Sequence, residues 1–381
     1  MSLILITNKN NEPTLSTSVL NLQNKARKQV YVVGNGWASY YFCKNLDQTK
    51  YEPIIIAPNE KVLNTPKLID IIFDPTTKAE FPNPHAKIIN GKLLDIDLNK
   101  KKLILDNNQE IMFDSEPIVL AIGSEVNDYN IEGVKKHSYS LKTIEDANIL
   151  RHVLINNKIN DICVIGSGPT GVELCSTLNI KYNSLKNSQF TQINLVEAMN
   201  NILSSFSEKT KDMIKQHLSK SNNIQIFLDT PVLKITQNHI MTNKYSIKSD
   251  LTIWTGGVKF NGYRQTSLYY TLDKLLSENN KITPRGINVN DNFTINLTNI
   301  YCLGDMVANK GPPTAQNAKL QAKWLANYFN KQMDKSLSPF VIPNANKTTK
   351  LLHLRDKIYI ESPIYNGFMP EWMNIMIDHF F

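Results

Sequence analysis

The segment Ile162-Cys-Val-Ile-Gly166-Ser-Gly168-Pro-Thr-Gly171-Val-Glu173-Leu174 carries the strongest structural signal in the chain. A short apolar run ends at Gly166, the glycines are spaced G-x-G-x-x-G, and an amphipathic run follows at once. In such a strand–turn–helix the first glycine makes the tight turn, the second lets the backbone approach a pyrophosphate, and the third lets helix and strand pack closely. The phosphates lie on the helix N-terminus, where unpaired N–H groups favour negative charge. The segment therefore predicts a dinucleotide site.

A degenerate copy of this pattern lies upstream, in Val30-Tyr-Val-Val-Gly34-Asn-Gly36-Trp-Ala-Ser39. Ser39 replaces the third glycine, a position that needs only a small residue. An acidic ribose-binding residue is expected at the end of the next strand, Tyr51–Ala57, but Pro58 and Asn59 follow it and Glu60 comes late. The copy predicts either a second nucleotide site with an unusual ribose contact or a structural βαβ unit.

Composition is that of a globular protein with two or three domains. The 381 residues are 41% hydrophobic and 20% charged, and 42 basic against 34 acidic residues give a net charge of +8. This excess indicates either a Lys-rich solvated surface or an anionic partner. A lipid surface is favoured over nucleic acid because the chain has no dense Arg/Lys block. No apolar run reaches the roughly 18 residues of a membrane-spanning helix.

The four cysteines, Cys43, Cys163, Cys175 and Cys302, lie in or beside apolar runs and form no C-x-x-C pair. This pattern predicts buried free thiols in a reducing compartment. It favours neither a metal site nor a disulfide reductase.

Further apolar strands end in residues that suit a nucleotide site. Ile118–Gly123 and Leu251–Gly257 each end in glycine, as if the chain crossed between two domains at both points, and Ile300–Asp305 ends in Gly304-Asp305. A carboxylate at such a strand end can bind a ribityl or sugar hydroxyl. Glu197 ends the strand after the main glycine turn, where it would bind ribose hydroxyls and repel a 2′-phosphate. It therefore predicts NADH over NADPH, unless it is a surface residue.

Two dinucleotide folds in series with a late Gly-Asp resemble the two-dinucleotide-fold flavoprotein oxidoreductases. Among these, the chain is most similar to the type II, non-proton-pumping NADH:quinone oxidoreductases, from about residue 28 to 330. Gly-Trp-Ala and Pro-Pro-Thr-Ala-Gln are specific to this branch. The residues that carry the resemblance are Gly34-Asn-Gly-Trp-Ala38, Thr65-Pro66, Ala121-Ile-Gly-Ser124, Leu141-Lys142, Glu145-Asp-Ala147, Gly166–Glu173, Leu195-Val-Glu-Ala198, Gly304-Asp305 and Pro312-Pro-Thr-Ala-Gln316.

The resemblance implies FAD on the first fold and NADH on the second. The residues assigned to FAD are Gly34, Gly36, Trp37, Ala38, Ser39, Gly123, Gly304, Asp305 and Ala315. Those assigned to NADH are Gly166, Gly168, Pro169, Thr170, Gly171, Glu197 and Gly256. The resemblance also implies that Glu173 points to the nicotinamide–flavin junction, and that Thr65 and Pro66 lie against the isoalloxazine. Gln316 is placed near the quinone in the same way. Without the resemblance, Glu173 reads as an ordinary buried, hydrogen-bonded glutamate.

The loop after Thr65-Pro66 departs from the family. Members have an apolar loop there that helps to form the quinone tunnel, whereas this chain has Lys67 and Asp70. Charges in an apolar tunnel are costly unless they are paired or solvated. Dinucleotide binding is therefore better supported than quinone reduction.

The C-terminal segment Gly367–Phe381 is dense in Trp, Phe, Met and Ile, with Trp372, Ile375, Met376 and Phe380 at near-helical spacing. It resembles the membrane-docking helices of the family. The alternative is a helix that packs on the body of the protein or at a homodimer interface.

The predicted fold class is α/β, with two Rossmann-like domains, the second inserted in the first, and a short C-terminal amphipathic segment. The expected parts are an N-terminal extension (1–27), the FAD-binding domain (28–157 and 258–340), the NADH-binding domain (158–257) and a C-terminal docking or interface region (341–381).

The predicted function is transfer of hydride from NADH to flavin and of electrons on to a quinone, at a cytoplasmic or mitochondrial inner membrane surface. The alternatives are a flavoprotein reductase of a soluble acceptor and a catalytically degenerate nucleotide-binding protein.

Overall fold

The computed structural model describes residues 27–182, 191–260, 266–276, 281–295, 299–334, 336–342, 350–354, 357–361 and 366–370. Its strands are β1 (Lys28–Val33), β2 (Tyr51–Ala57), β3 (Lys61–Leu63), β4 (Glu80–Pro82), β5 (Lys87–Asn90), β6 (Leu93–Asp97), β7 (Lys102–Leu105), β8 (Glu110–Met112), β9 (Ile118–Leu120), β10 (Ser124–Val126), β11 (Asp161–Ile165), β12 (Gln192–Val196), β13 (Ile224–Phe227), β14 (Val232–Ile235), β15 (His239–Thr242), β16 (Ser246–Lys248), β17 (Leu251–Trp254), β18 (Val258–Phe260), β19 (Ile282–Thr283), β20 (Gly286–Ile287), β21 (Ile300–Cys302), β22 (Lys350–His353), β23 (Lys357–Glu361) and β24 (Asn366–Pro370). The helices are α1 (Trp37–Asn45), α2 (Leu68–Phe73), α3 (Val134–His137), α4 (Ile144–Asn156), α5 (Pro169–Thr177), α6 (Glu208–Ser219), α7 (Ser267–Leu275) and α8 (Ala315–Asn330).

The first sheet is parallel, with strand order β21-β9-β1-β2-β5. The strands β21, β9, β1 and β2 are apolar and mostly buried, as expected for a parallel sheet covered on both faces, and the edge strand β5 is partly exposed. Helices α1 and α8 pack together beside it, with the rings of Phe42 and Phe329 at 5.4 Å. Because β1, β9 and β21 are neighbours and parallel, the turns that follow them lie at one edge of the sheet.

The second sheet is also parallel, with strand order β13-β12-β11-β17. All its strands lie between β9 and β21 in the chain, so this unit is inserted into the first. The two crossings, β10 and β18, run antiparallel beside each other, and Ser124 pairs with Phe260. Two parallel sheets with one inserted in the other confirm the predicted α/β fold class.

The C-terminal strands form an antiparallel sheet of order β22-β23-β24. Leu352, Leu354 and Tyr359 are buried in the core of the second unit, and Phe368 packs on Tyr359 and His217. The first residues of the segment Gly367–Phe381 belong to β24, which pairs with β23. The residues with helical spacing, from Trp372, lie outside the described part of the chain.

In the described part of the chain, no helix has both the length and the apolar character needed to cross a membrane.

Candidate functional site: two glycine turns and their junction

The first glycine turn joins β1 to α1. Gly34 has φ +103°, and a Cβ there would lie 2.3 Å from the carbonyl oxygen of Ala121, so a side chain does not fit. A Cβ on Gly36 would meet nothing within 4 Å, and Gly36 caps α1 without a side-chain hydrogen bond. The space beside Gly36 at the N-terminus of α1 is therefore open, which suits a phosphate.

Two buried polar atoms beside this turn have no hydrogen-bond partner: Nε1 of Trp37 and Oγ of Ser39. An unpaired buried donor is costly, and such groups in native proteins usually mark a ligand or water. Together with the open space at Gly36, they fit a bound nucleotide cofactor. Of the two readings of this turn, a nucleotide site is thus better supported than a purely structural βαβ unit.

The loop after β2 is tied to the same turn by amide side chains. Nδ2 of Asn35 donates to the carbonyls of Asn59 and Glu60 at 3.2 and 2.9 Å, and Asn83 donates to Oδ1 of Asn35 at 3.1 Å. Sequence reasoning missed this role for Asn35 and Asn83, since the middle residue of a glycine turn is ordinarily variable. The contacts hold the loop beside the first glycine turn, and no acidic residue directly follows β2.

Gly304 and Asp305 follow β21 and lie against the first helix. A Cβ on Gly304 would lie 3.1 Å from the Cβ of Ala38. Ser124 donates its hydroxyl to Oδ2 of Asp305 at 2.7 Å, and Nζ of Lys142 lies 3.1 Å from the Ser124 hydroxyl. The same ammonium lies 4.0 Å from Oδ2 of Asp305. Ser124 and Lys142 lie within the quoted family stretches, but no role was assigned to them there.

A polar network holds the loop between Asp305 and α8. Gln321 is fully buried; its Oε1 accepts the amide of Gly304 at 2.8 Å and its Nε2 donates to the carbonyl of Lys310 at 3.0 Å. The guanidinium of Arg285 donates to the carbonyls of Asp305 and Gly311 at 3.2 and 3.0 Å. The network fixes Asp305 relative to the start of α8, where Ala315 is half-buried and Gln316 is exposed. Neither Gln321 nor Arg285 was predicted.

The second glycine turn joins β11 to α5 and repeats this geometry. A Cβ on Gly171 would lie 2.0 Å from the carbonyl oxygen of Gly166, so the third glycine is required for close packing. A Cβ on Gly168 would meet nothing within 4 Å, and the next two residues, Pro169 and Thr170, are exposed. Gly256, after β17, lies against the same turn, since its Cα is 2.8 Å from a Cβ built on Gly166.

Glu197 lies beside this turn at the end of β12. Its Oε2 accepts the amide and the hydroxyl of Ser167 at 2.8 and 2.6 Å, and its Oε1 accepts the amide of Met199 at 2.9 Å. A carboxylate held by three donors beside the phosphate-binding turn carries a fixed negative charge where an adenosine ribose would lie.

Glu173 lies on α5, one turn beyond the glycines, and its Oε1 accepts the amide of His353 at 2.9 Å. The pKa of Glu173 is raised to about 8, mainly by burial and also by the negative charge of Asp70, while the hydrogen bond from His353 lowers it. Asp70 belongs to α2, which begins directly after Thr65, Pro66 and Lys67. Helices α2 and α5 pack against each other, so the charge of Asp70 acts on Glu173.

The charges that depart from the family pattern pair with each other. Nζ of Lys67 lies 3.6 Å from Oδ2 of Asp70, and the two side chains are 41% and 32% exposed. The four apolar residues of α2 on its inner face, Leu68, Ile69, Ile71 and Ile72, are buried instead. The ion pair is thus solvated, which removes the cost expected of charges in an apolar tunnel.

The four cysteines are buried and free. Burial raises the pKa of the Cys43 thiol to about 12 and that of Cys163 to about 11, and raises those of Cys175 and Cys302 further. Neutral buried thiols are poor nucleophiles. These cysteines do not fit dithiol–disulfide exchange. Among the described residues, no group of three His, Cys, Asp or Glu side chains could hold a metal ion.

Two parallel sheets, each with an open glycine turn at its carboxyl edge and joined by antiparallel crossings, define a protein with two dinucleotide sites. The chain matches the model of the pyridine nucleotide-disulphide oxidoreductase family over residues 28–322 and belongs to that family.

Curated relatives are about a quarter identical to this chain over the aligned residues. The external NADH-ubiquinone oxidoreductase 2 of Saccharomyces cerevisiae mitochondria is 24% identical over 376 residues, covering 87% of this chain and 68% of the relative. The external alternative NADH-ubiquinone oxidoreductase of Yarrowia lipolytica mitochondria is 27% identical, covering 80% of this chain and 60% of the relative. The chain thus spans about two thirds of the length of these relatives.

Solved structures share the fold. NDH2 from Plasmodium falciparum, in complex with NADH, superposes with a TM-score of 0.76 at 19% identity, covering 92% of this chain and 94% of that one. A ferredoxin reductase from Rhodopseudomonas palustris superposes with a TM-score of 0.70 at 17% identity, covering 88% and 82%. Proteins that serve different acceptors have this fold, so the fold alone does not identify the acceptor.

Proposed function

We propose that the chain is an FAD-dependent NADH dehydrogenase that passes electrons from the flavin to a quinone. The strongest support is the pair of open glycine turns in a chain whose relatives include NADH-ubiquinone oxidoreductases from two fungi. The absence of a dithiol among the four cysteines favours direct transfer from flavin to acceptor over disulfide reduction.

FAD is assigned to residues 28–157 and 258–340. The N-terminus of α1 would hold the pyrophosphate at Gly36, with Trp37 and Ser39 donating their unpaired polar hydrogens, and Asp305 would accept a ribityl hydroxyl. The flavin supplies the redox chemistry, accepting a hydride and releasing electrons singly or in pairs. The chain's own part is to orient the ring, through the network of Gln321 and Arg285 that fixes Asp305.

NADH is assigned to residues 158–257. Gly168, with Pro169 and Thr170, would contact the pyrophosphate at the N-terminus of α5, and Glu197 would accept the ribose hydroxyls. Glu173 would face the junction of nicotinamide and flavin, where a carboxyl that is protonated near neutral pH can donate or accept a proton. Thr65 and Pro66 would border the ring beside it. The assignment of Gln316 to the acceptor side is supported by its exposure at the start of α8.

The acceptor site is proposed to lie at a membrane surface, reached through the residues that follow β24. Support comes from the amphipathic spacing after Trp372, the net charge of +8 and the ubiquinone named for the relatives. Both of those relatives are named as mitochondrial, so we assign the protein to the surface of a mitochondrial membrane. A homodimer through the same segment is the competing role for it.

The decisive experiment is anaerobic reduction of the purified yellow protein by NADH, followed by reoxidation with quinones of different tail length, with and without lipid vesicles. We expect the flavin absorbance to bleach with NADH and to return with quinone. A colourless protein, or a flavin that NADH does not reduce, would refute the proposal.

The role of the C-terminal residues is tested with a variant that ends at Pro370. This variant keeps the strand β24, and it should lose vesicle binding and the response to lipid. If that variant is unchanged and a soluble protein acceptor is reduced faster, the reductase alternative is correct.

A further inference from the structure

The C-terminal sheet touches the proposed hydride-transfer junction through the backbone of one strand. Among the described strands, β22 lies at the edge of its sheet and pairs with β23. The amide of Leu354 donates to the carbonyl of Lys357, across the hairpin, at 2.8 Å. The preceding amide, that of His353, points the other way and donates to Oε1 of Glu173 at 2.9 Å. The N–H of His353 on this edge strand is thus bonded to a carboxyl of α5.

A second hydrogen bond fixes the same strand to the same helix. Ser176 lies three residues after Glu173, so both side chains project from one face of α5. The hydroxyl of Ser176 donates to the carbonyl of Leu354 at 3.1 Å, and Ser176 is 3% exposed. Leu352 and Leu354, on either side of His353, are fully buried. Residues 353 and 354 are therefore held against α5 by two hydrogen bonds, one donated by the strand to the helix and one donated by the helix to the strand.

The other strand of the hairpin is fixed to α6. The carboxylate of Glu361 accepts the amide and hydroxyl of Ser207, at 3.1 and 3.0 Å, and the hydroxyl of Thr210. Ser207 is the N-cap of α6, where a carboxylate is favoured by the helix dipole. The ring of Tyr359 is buried below, with its hydroxyl 3.3 Å from that of Thr210. The hairpin is anchored at both ends, so its position relative to Glu173 is set by the fold.

We propose that the backbone amide of His353 is a positioning group that orients the Glu173 carboxyl and sets its affinity for a proton. This inference rests on the proposed role of Glu173 at the junction. An amide that donates to a carboxyl stabilises its charged form, so the bond opposes the burial and the charge of Asp70 that favour the neutral form. Among the described residues, the groups that act on the charge of Glu173 are Asp70 on α2, which is paired with Lys67, and the amide of His353 on β22. The C-terminal sheet then positions a residue of the reaction site, in addition to leading into the terminal segment.

The test separates the amide of His353 from its imidazole. His353→Pro removes the N–H, and His353→Ala removes only the side chain. The readout is the infrared carbonyl stretch of the protonated carboxyl in the FAD-loaded full chain, titrated with pH and assigned by subtraction of Glu173→Gln. We expect His353→Pro to raise the midpoint by roughly one pH unit, the worth of one hydrogen bond to a charged group. His353→Ala should leave the midpoint in place.

Equal midpoints for the two His353 variants would overturn the proposal, and a shift in His353→Ala alone would assign the effect to the imidazole instead. If His353→Pro does not fold, Ser176→Ala decides the question. It loosens the strand without touching the amide and should raise the midpoint by a smaller amount; an unchanged midpoint would overturn the proposal.

The role of Glu173 itself is tested apart from this, by the rate at which NADH reduces the flavin in Glu173→Gln. An unchanged rate would refute that role while the titration still reports on His353.

Discussion

Ser167 gives Glu197 two hydrogen bonds, from its amide at 2.8 Å and from its hydroxyl at 2.6 Å, both to Oε2. The residue inside the glycine turn thereby fixes the carboxylate at the end of the neighbouring strand. The negative charge cannot swing away to admit a 2′-phosphate without losing both bonds. We therefore expect the turn to favour NADH over NADPH.

Substitution of Glu197 by Gln should relax this specificity. It keeps an oxygen acceptor for Ser167 but removes the charge that repels the 2′-phosphate. We expect the ratio of kcat/KM for NADPH over NADH to rise about ten-fold, equivalent to roughly 1.4 kcal/mol of differential binding. The measurement is anaerobic flavin reduction by each nucleotide. Asp212→Asn, which removes a charge from an exposed position on α6, is the control and should leave the ratio alone. A wild-type chain that uses both nucleotides equally well would refute the role of Glu197.

The carboxyl of Glu173 should make stability depend on pH in the direction opposite to that of a salt-bridged carboxylate. Its pKa is 4.5 in an unperturbed chain and about 8 in the fold. Its contribution is therefore fully present below pH 4.5 and is lost as the pH rises through 8. In denaturant titrations the wild type should lose stability relative to Glu173→Gln between these limits, by on the order of 2 to 5 kcal/mol. A difference between the two chains that does not change with pH would contradict the burial of this group.

The sequence predicted those parts of the fold and site that depend on local pattern. The glycine turns, the buried strands that lead into them and the residues that end β12 and β21 all follow from short-range spacing, because each turn needs its glycines within a few residues. The partners of these residues could not be predicted in the same way. His353 lies 180 residues from Glu173, and Ser124 lies 181 residues from Asp305. Contacts between residues so far apart in the sequence depend on how the inserted unit and the C-terminal sheet pack. No periodicity in a single sequence indicates that packing.

The first two glycines of the upstream turn should respond differently to alanine. Gly34→Ala places a Cβ 2.3 Å from a carbonyl oxygen at φ +103°, so the fold itself must shift. We expect a loss of about 2 to 4 kcal/mol in the free energy of unfolding. Gly36→Ala meets no atom and should leave the stability of the FAD-free chain within about 1 kcal/mol. The added methyl group fills the space assigned to the pyrophosphate, so FAD affinity should fall at least ten-fold. Unimpaired FAD binding by Gly36→Ala would exclude the cofactor from this turn.

Two glutamines on α8 provide a matched comparison of structural and functional roles. Gln321→Leu leaves the amide of Gly304 buried without its acceptor, at a cost of roughly 1 to 3 kcal/mol, whereas the carbonyl of Lys310 keeps its hydrogen bond from Asn317. Because Gly304 precedes Asp305, the same variant should also bind FAD more weakly, as measured by the recovery of flavin fluorescence on dilution.

Gln316→Leu is the same chemical change at an exposed position and should leave both stability and FAD affinity unchanged. If Gln316 serves the acceptor side, its loss should slow only the reoxidation of reduced flavin by quinone. Equal reoxidation rates in Gln316→Leu and the wild type would remove Gln316 from the site, whereas a stable, flavin-retaining Gln321→Leu would refute the network.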